Sequence, residues 1–136
     1  MAENGILKLG KVTDFQCHML KHQLGAYTDC NHGQGLAVLH PALYCHIYRE
    51  APSQFARLAE NVWRIEKGDK TVEETALSGT EVLAAFIKKT GLPSTLTEMG
   101  IADIDFEAIA NSTILTPGCC KKLEPEELTE ILRECV

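Results

Sequence analysis

Two stretches decide how this sequence folds: Thr13-Asp14-Phe15-Gln16-Cys17-His18-Met19-Leu20-Lys21-His22-Gln23-Leu24-Gly25 and, after a short gap, Asp29-Cys30-Asn31-His32-Gly33-Gln34-Gly35-Leu36. Thr13 or Asp14 can accept hydrogen bonds from the free amides that open a helix. That helix is expected to run to about Gln23 and to end at Gly25. Tyr27 to Asn31 reads as a loop. A second helix is expected from about His32, with Leu36, Leu39, Leu43 and Ile47 at helical spacing. Pro41 lies inside that pattern and is expected to kink or divide it, because proline has no amide hydrogen and crowds the preceding turn.

Working outward, the rest is helical too. Pro52 suits the first turn of a third helix, with Phe55, Leu58, Ala59 and Val62 on one face. Thr71-Val72-Glu73-Glu74 has capping-box spacing, with Thr71 as the cap and Glu74 reaching back. The helix it opens is expected to reach about Thr90, with Val72, Ala76, Leu83, Phe86 and Ile87 as its apolar face. Gly91 and Pro93 end it. A short turn follows at Thr97 to Met99, then a short helix capped by Asp105 and reaching Ala110. Pro125 opens a last helix that ends near Cys135, with Leu128, Ile131 and Leu132 as its buried stripe. No alternating strand pattern survives. The expectation is an all-α bundle, one domain over residues 1–136.

Composition limits the function. Thirteen basic residues stand against nineteen acidic ones, a formal net charge of −6. A nucleic-acid binder needs a basic patch to neutralise phosphates; here the close basic pairs are Lys88-Lys89 and Lys121-Lys122, both read as solvated helix ends or turns. No apolar run approaches the roughly 20 residues that cross a bilayer. Met1 to Gly5 lack the basic and then apolar pattern of a signal peptide. The six cysteines, two of them adjacent at Cys119-Cys120, contain no CxxC and read as reduced thiols. The expected location is the cytoplasm, with no nucleic-acid or membrane partner.

All five histidines fall between residues 18 and 46. His18 and His22 are four apart and project from one helix face. His32 starts the next helix, beside Gly33 and Gly35, which leave the backbone uncrowded for a ligand. Neutral imidazole is a common ligand for zinc and ferrous iron. By spacing alone His18 and His22 would chelate, as in HExxH proteins, but no glutamate lies between them and a zinc-protease reading fails. Asp14 and Asp29 read more simply as a cap and a turn residue. His40 and His46 read as structural.

The order His18-Met19-Leu20-Lys21-His22-Gln23-Leu24-Gly25, then His32-Gly33 fourteen positions after His18, then Leu39-His40-Pro41-Ala42-Leu43, resembles the metal-binding signature of the iron-containing alcohol dehydrogenases. The likeness extends to Lys8-Leu9-Gly10-Lys11-Val12-Thr13-Asp14, to Ala59-Glu60-Asn61-Val62-Trp63, to Phe86-Ile87-Lys88-Lys89-Thr90-Gly91-Leu92-Pro93-Ser94 and to Leu128-Thr129-Glu130-Ile131-Leu132. It covers nearly the whole chain and looks most like the NADPH-dependent butanol dehydrogenase branch.

The resemblance implies a fold like the family's C-terminal helical domain, and a metal-assisted reaction. A divalent iron or zinc, held by one aspartate and three histidines, acts as a Lewis acid on an alcohol or aldehyde oxygen while hydride passes to or from NADP(H). His18 and His32 correspond to the last two metal ligands, which replaces the spacing-only pair. His22 corresponds to the second histidine of the HxxxH, which lies near cofactor and substrate and serves proton relay or orientation. The family's other two ligands, in an upstream DxxxH, and its glycine-rich α/β coenzyme domain have no counterpart in this sequence. The expectation is therefore a C-terminal portion, inactive alone, that partners the missing N-terminal domain or self-associates. The alternative is a solitary helical interaction module without catalysis.

Overall fold

Most of the helices begin where the sequence supplies an acceptor for their free amides. In the computed structural model, which describes residues 9–136 apart from 102, 116 and 117, the order is α1 (Gln16–Thr28), α2 (His32–Ile47), α3 (Pro52–Asn61), α4 (Val72–Lys89), α5 (Phe106–Ser112) and α6 (Pro125–Glu134). One-turn 3-10 segments lie at Tyr48–Glu50 and Thr97–Met99. Met1 to Gly5 and Lys8, used in the sequence reading, lie outside the described residues. No strand occurs among the described residues, so the all-α class holds.

Asn31 caps α2, its Oδ1 accepting from the amides of Gly33 at 2.9 Å and Gln34 at 3.2 Å. The Thr71 and Glu74 capping box opens α4 as the spacing predicts, with contacts of 2.7 and 3.2 Å. Asp105 caps α5 through the Ala108 amide. Glu124 and Glu127 form a second capping box at α6, ahead of Pro125 in the first turn. Each arrangement satisfies amides that have no partner inside the helix.

The structure departs from several local expectations. Gly25 does not end α1, which continues to Thr28 and stops where Asp29 turns left-handed (φ 54°) and returns its amide to the Gly25 carbonyl. Pro41 does not divide α2, which is one helix from His32 to Ile47. Val62, Val72 and Phe86 do not face the core; Val62 is 56% and Phe86 50% exposed. α4 buries instead a face of Thr75, Ala76, Gly79 and Thr80, with Ile87 near its end.

The helices pack as hairpins, α1 on α2, α3 on α4 and α5 on α6, with α2 also touching α4 and α6 and α1 touching α5. The core combines Leu20 and Leu24 of α1, Leu39 and Leu43 of α2, Ile109 of α5, and Leu128, Ile131 and Leu132 of α6, with Leu96 and Leu123 from the connections. The α3–α4 hairpin crosses at Gly79, where an added Cβ would stand 2.7 Å from the Cβ of Ala59. Only a residue without a side chain allows that approach.

Candidate functional site

The first turn of α1 is fixed by a buried amide. Gln16 is 0% exposed; its Nε2 donates to the Lys121 carbonyl at 2.7 Å and its Oε1 accepts the Leu123 amide at 2.8 Å. Phe15, not Thr13 or Asp14, stands at the N-cap of α1, and Asp14, two positions before the helix, accepts the Gln16 backbone amide at 2.9 Å. His18 thus starts from a turn tied to the segment leading into α6. Nothing in the hydrophobic pattern points to this glutamine, since a polar residue beside Phe15 and Cys17 reads as a surface position.

Two helices then bring three imidazoles together. His18 and His22 lie one turn apart on α1, and the Asp29–Asn31 turn returns the chain so that His32 at the head of α2 faces both. Ring centroids are 5.6 Å apart for His18 and His32, 5.5 Å for His22 and His32, and 6.4 Å for His18 and His22. His18 is half-buried, while His22 and His32 are exposed. Among the described residues no group of three or more histidine, cysteine, aspartate or glutamate side chains is placed to hold a metal ion alone. These imidazoles can offer part of a coordination shell, and their nitrogen donors suit zinc or ferrous iron.

The glycines around this turn serve a different purpose from the one expected. Lys21, between the two histidines of α1, is only 6% exposed, and its Nζ donates to the Cys30 carbonyl at 3.3 Å. Its side chain passes between the two helices. A Cβ on Gly25 would stand 2.9 Å from Nζ, and one on Gly35 would stand 3.0 Å from both Cγ and Cε. Gly25 and Gly35 make room for this lysine. A Cβ on Gly33 would meet nothing closer than 3.5 Å, an ordinary contact with its own cap.

His40 joins the cluster from below. Its ring lies 6.2 Å from that of His18 and 5.4 Å from that of Tyr44, and Tyr44 stacks edge-on against Phe55 at 5.1 Å. His40 Nδ1 lies 3.0 Å from the Leu36 carbonyl and donates to it, which leaves Nε2 as the acceptor of the neutral ring. Burial holds the His40 pKa below the ordinary histidine value, with the Leu36 hydrogen bond opposing that shift. Burial likewise raises the Tyr44 phenol. His18, His40, Tyr44 and Phe55 all line a cavity of about 620 Å³ between the start of α1, the second half of α2 and α3. His46 stands apart and pairs with Glu134 on α6 at 3.1 Å. All six cysteines are free thiols.

The fold is an all-helical bundle that carries three imidazoles on one hairpin. The model described as "Fe-containing alcohol dehydrogenase family, C-terminal" matches residues 2–136, and the chain belongs to that family. It is 35% identical over 135 residues to a probable NADH-dependent butanol dehydrogenase of Bacillus subtilis, covering 98% of this chain and 35% of that protein. It is 30% identical to an NADPH-dependent aldehyde reductase of Escherichia coli, covering 96% of this chain and 30% of that one. Among solved structures, it superposes on an NADH-dependent butanol dehydrogenase of Thermotoga maritima with a TM-score of 0.87 and 32% identity, over 98% of this chain and 36% of that one. The chain thus spans about a third of the length of the relatives it matches. No helix among the described residues is long and apolar enough to cross a membrane.

Proposed function

We propose that this chain supplies the helical, metal-contributing part of a nicotinamide-dependent alcohol or aldehyde oxidoreductase. The observation that carries the reading is the convergence of His18 and His32, rings 5.6 Å apart, on two helices joined by a three-residue turn. In this reading His18 and His32 hold a divalent iron or zinc, together with an aspartate and a further histidine from outside these residues. The ion, when bound, supplies Lewis acidity to the alcohol or carbonyl oxygen.

The chain's own residues do the rest. His22 is exposed and close to His32, so it can exchange a proton with solvent and pass it toward the reacting oxygen. The Lys21 contact with Cys30 and the Asn31 cap hold the turn that presents His32. Gln16 holds the turn that presents His18. The coenzyme is a nicotinamide; the sequence likeness favours NADP(H), while the names of the butanol dehydrogenase relatives carry NADH. The working compartment is the cytoplasm. Residues 1–136 alone do not turn over alcohol in this reading, because two ligands and the coenzyme-binding part are absent from them.

Titration of the chain with Co2+, followed by its visible absorption, tests the metal assignment. His18→Ala and His32→Ala should each weaken binding at least tenfold, and His46→Ala should leave it unchanged. Equal binding by all three variants would remove His18 and His32 from the site. Turnover of butanol with NADP+ by the isolated chain would overturn the incomplete-site reading.

A further inference from the structure

His18 faces two ways. Its ring meets those of His22 and His32 on the exposed side of the α1–α2 hairpin. On its other side it lines the cavity together with His40, whose ring centroid is 6.2 Å away. His40 is itself held in place. Its Nδ1 donates to the Leu36 carbonyl at 3.0 Å, its ring packs edge-on against Tyr44 at 5.4 Å, and Tyr44 is backed by Phe55 at 5.1 Å. A carbonyl only accepts, so the proton of the neutral ring sits on Nδ1 and Nε2 is left as an acceptor. Asp14, the carboxylate at this end of the cavity, already serves Gln16 with both oxygens, at 2.9 and 3.3 Å.

We propose that His40 is a positioning residue for His18: its Nε2 accepts, through one water, the proton on the His18 ring nitrogen that faces away from the metal. Only the assignment of His18 to a metal rests on the oxidoreductase reading above; the pairing of the two rings stands without it. A ring nitrogen that ligates a metal is unprotonated, so the second nitrogen of the same ring carries the hydrogen and needs an acceptor. A centroid separation of 6.2 Å is wider than a direct nitrogen-to-nitrogen hydrogen bond and suits a single bridging water. The polar end of the cavity, with Asp14, His18 and His40, offers such a water the partners it needs, and a volume of about 620 Å³ gives it room. With that link His18 is held in one tautomer and one orientation before an ion arrives. The spacing of His18 and His40 in the sequence gives no sign of this role, because the two positions meet only once α1 and α2 pair.

Imidazole nitrogen NMR spectra of the metal-free chain, at about pH 8.5 where histidine rings are neutral, read the tautomers directly. His18 should occupy a single tautomer, and His40 should carry its proton on Nδ1. His40→Phe keeps a ring in place but removes the acceptor, and should let His18 relax to a mixture of tautomers. His40→Gln supplies a new acceptor and should restore the single form. In the Co2+ titration, His40→Phe should weaken binding about tenfold or more, and His40→Gln should recover most of that loss. A tautomer mixture at His18 in the unaltered chain overturns the proposal without any variant, so the test survives should His40→Phe lose its amide dispersion. Equal Co2+ affinity in His40→Phe and the unaltered chain overturns it too, as does an equal loss in both variants, which a packing role would give. The metal reading fails separately: if His18→Ala binds Co2+ as tightly as the unaltered chain, the ion sits elsewhere, and the metal-free spectra alone decide whether His40 holds His18.

Discussion

At the scale of single residues, the clustering of three histidines was legible and the residues that hold their helices in place were not. His18, His22 and His32 could be read because their spacing brackets one turn and one loop. Gln16 and Lys21 could not, because a buried polar side chain leaves no periodic mark, and His40 reads only as structural. Gln16 shows what such a residue is worth. Gln16→Leu keeps the volume but strands the Leu123 amide and the Lys121 carbonyl, and should cost roughly 2–4 kcal/mol of stability in urea unfolding. A cost under half a kcal/mol would mean that water replaces both bonds. The buried thiols give a pH signature. Burial pushes Cys135 from 9.0 up to about 12, and pushes Cys17 up as well. Both pKa values are raised on folding, so their contribution is intact below pH 9 and fades as pH climbs from 9 toward 12. Each thiol should make stability fall by about 1.4 kcal/mol per pH unit in that window. Cys135→Ala should flatten the slope, measured by urea midpoints at successive pH values; an unchanged slope would show that the thiols ionise alike in both states.

At the scale of elements, the helix starts were readable because caps are local chemistry. Thr71, Asp105 and Pro125 each sit where the sequence places them, since a cap bonds amides only two or three residues away. Helix ends and faces were less readable because they depend on neighbours. Gly25 has the composition of a terminator, yet the left-handed turn falls at Asp29. The face of α4 looked like its large apolar residues, but contact with α3 requires small ones, and Gly79 against Ala59 decides which side turns inward. Gly79→Val would drive its Cβ into Ala59 and should destabilise the chain by about 1–3 kcal/mol. Ala59→Gly in the same chain should recover part of that loss. Thermal unfolding of the two single variants and the double variant checks this; simple additivity would show that the two positions do not meet.

At the scale of the whole molecule, the all-α class followed from the absence of strand alternation, and the pairing of helices did not follow from the sequence at all. Which hairpin packs on which is set by core residues far apart in the chain: Leu24, Leu39, Ile109 and Leu132 all belong to one cluster. The apolar residues left outside, Val62 and Phe86 among them, belong to a surface the bundle does not cover. The lysine threaded between α1 and α2 has a consequence for how such sequences diverge. Lys21, Gly25 and Gly35 occupy one shared volume, so a change at one position alters what the others can accept. Gly35→Ala alone strikes the Lys21 stem, whereas Gly35→Ala with Lys21→Ala removes the obstacle. The pair should therefore be more stable than the first change alone, by differential scanning calorimetry, and the reverse order would show that the lysine can leave its channel freely. The lysine stem thus sets which side chains position 35 can carry.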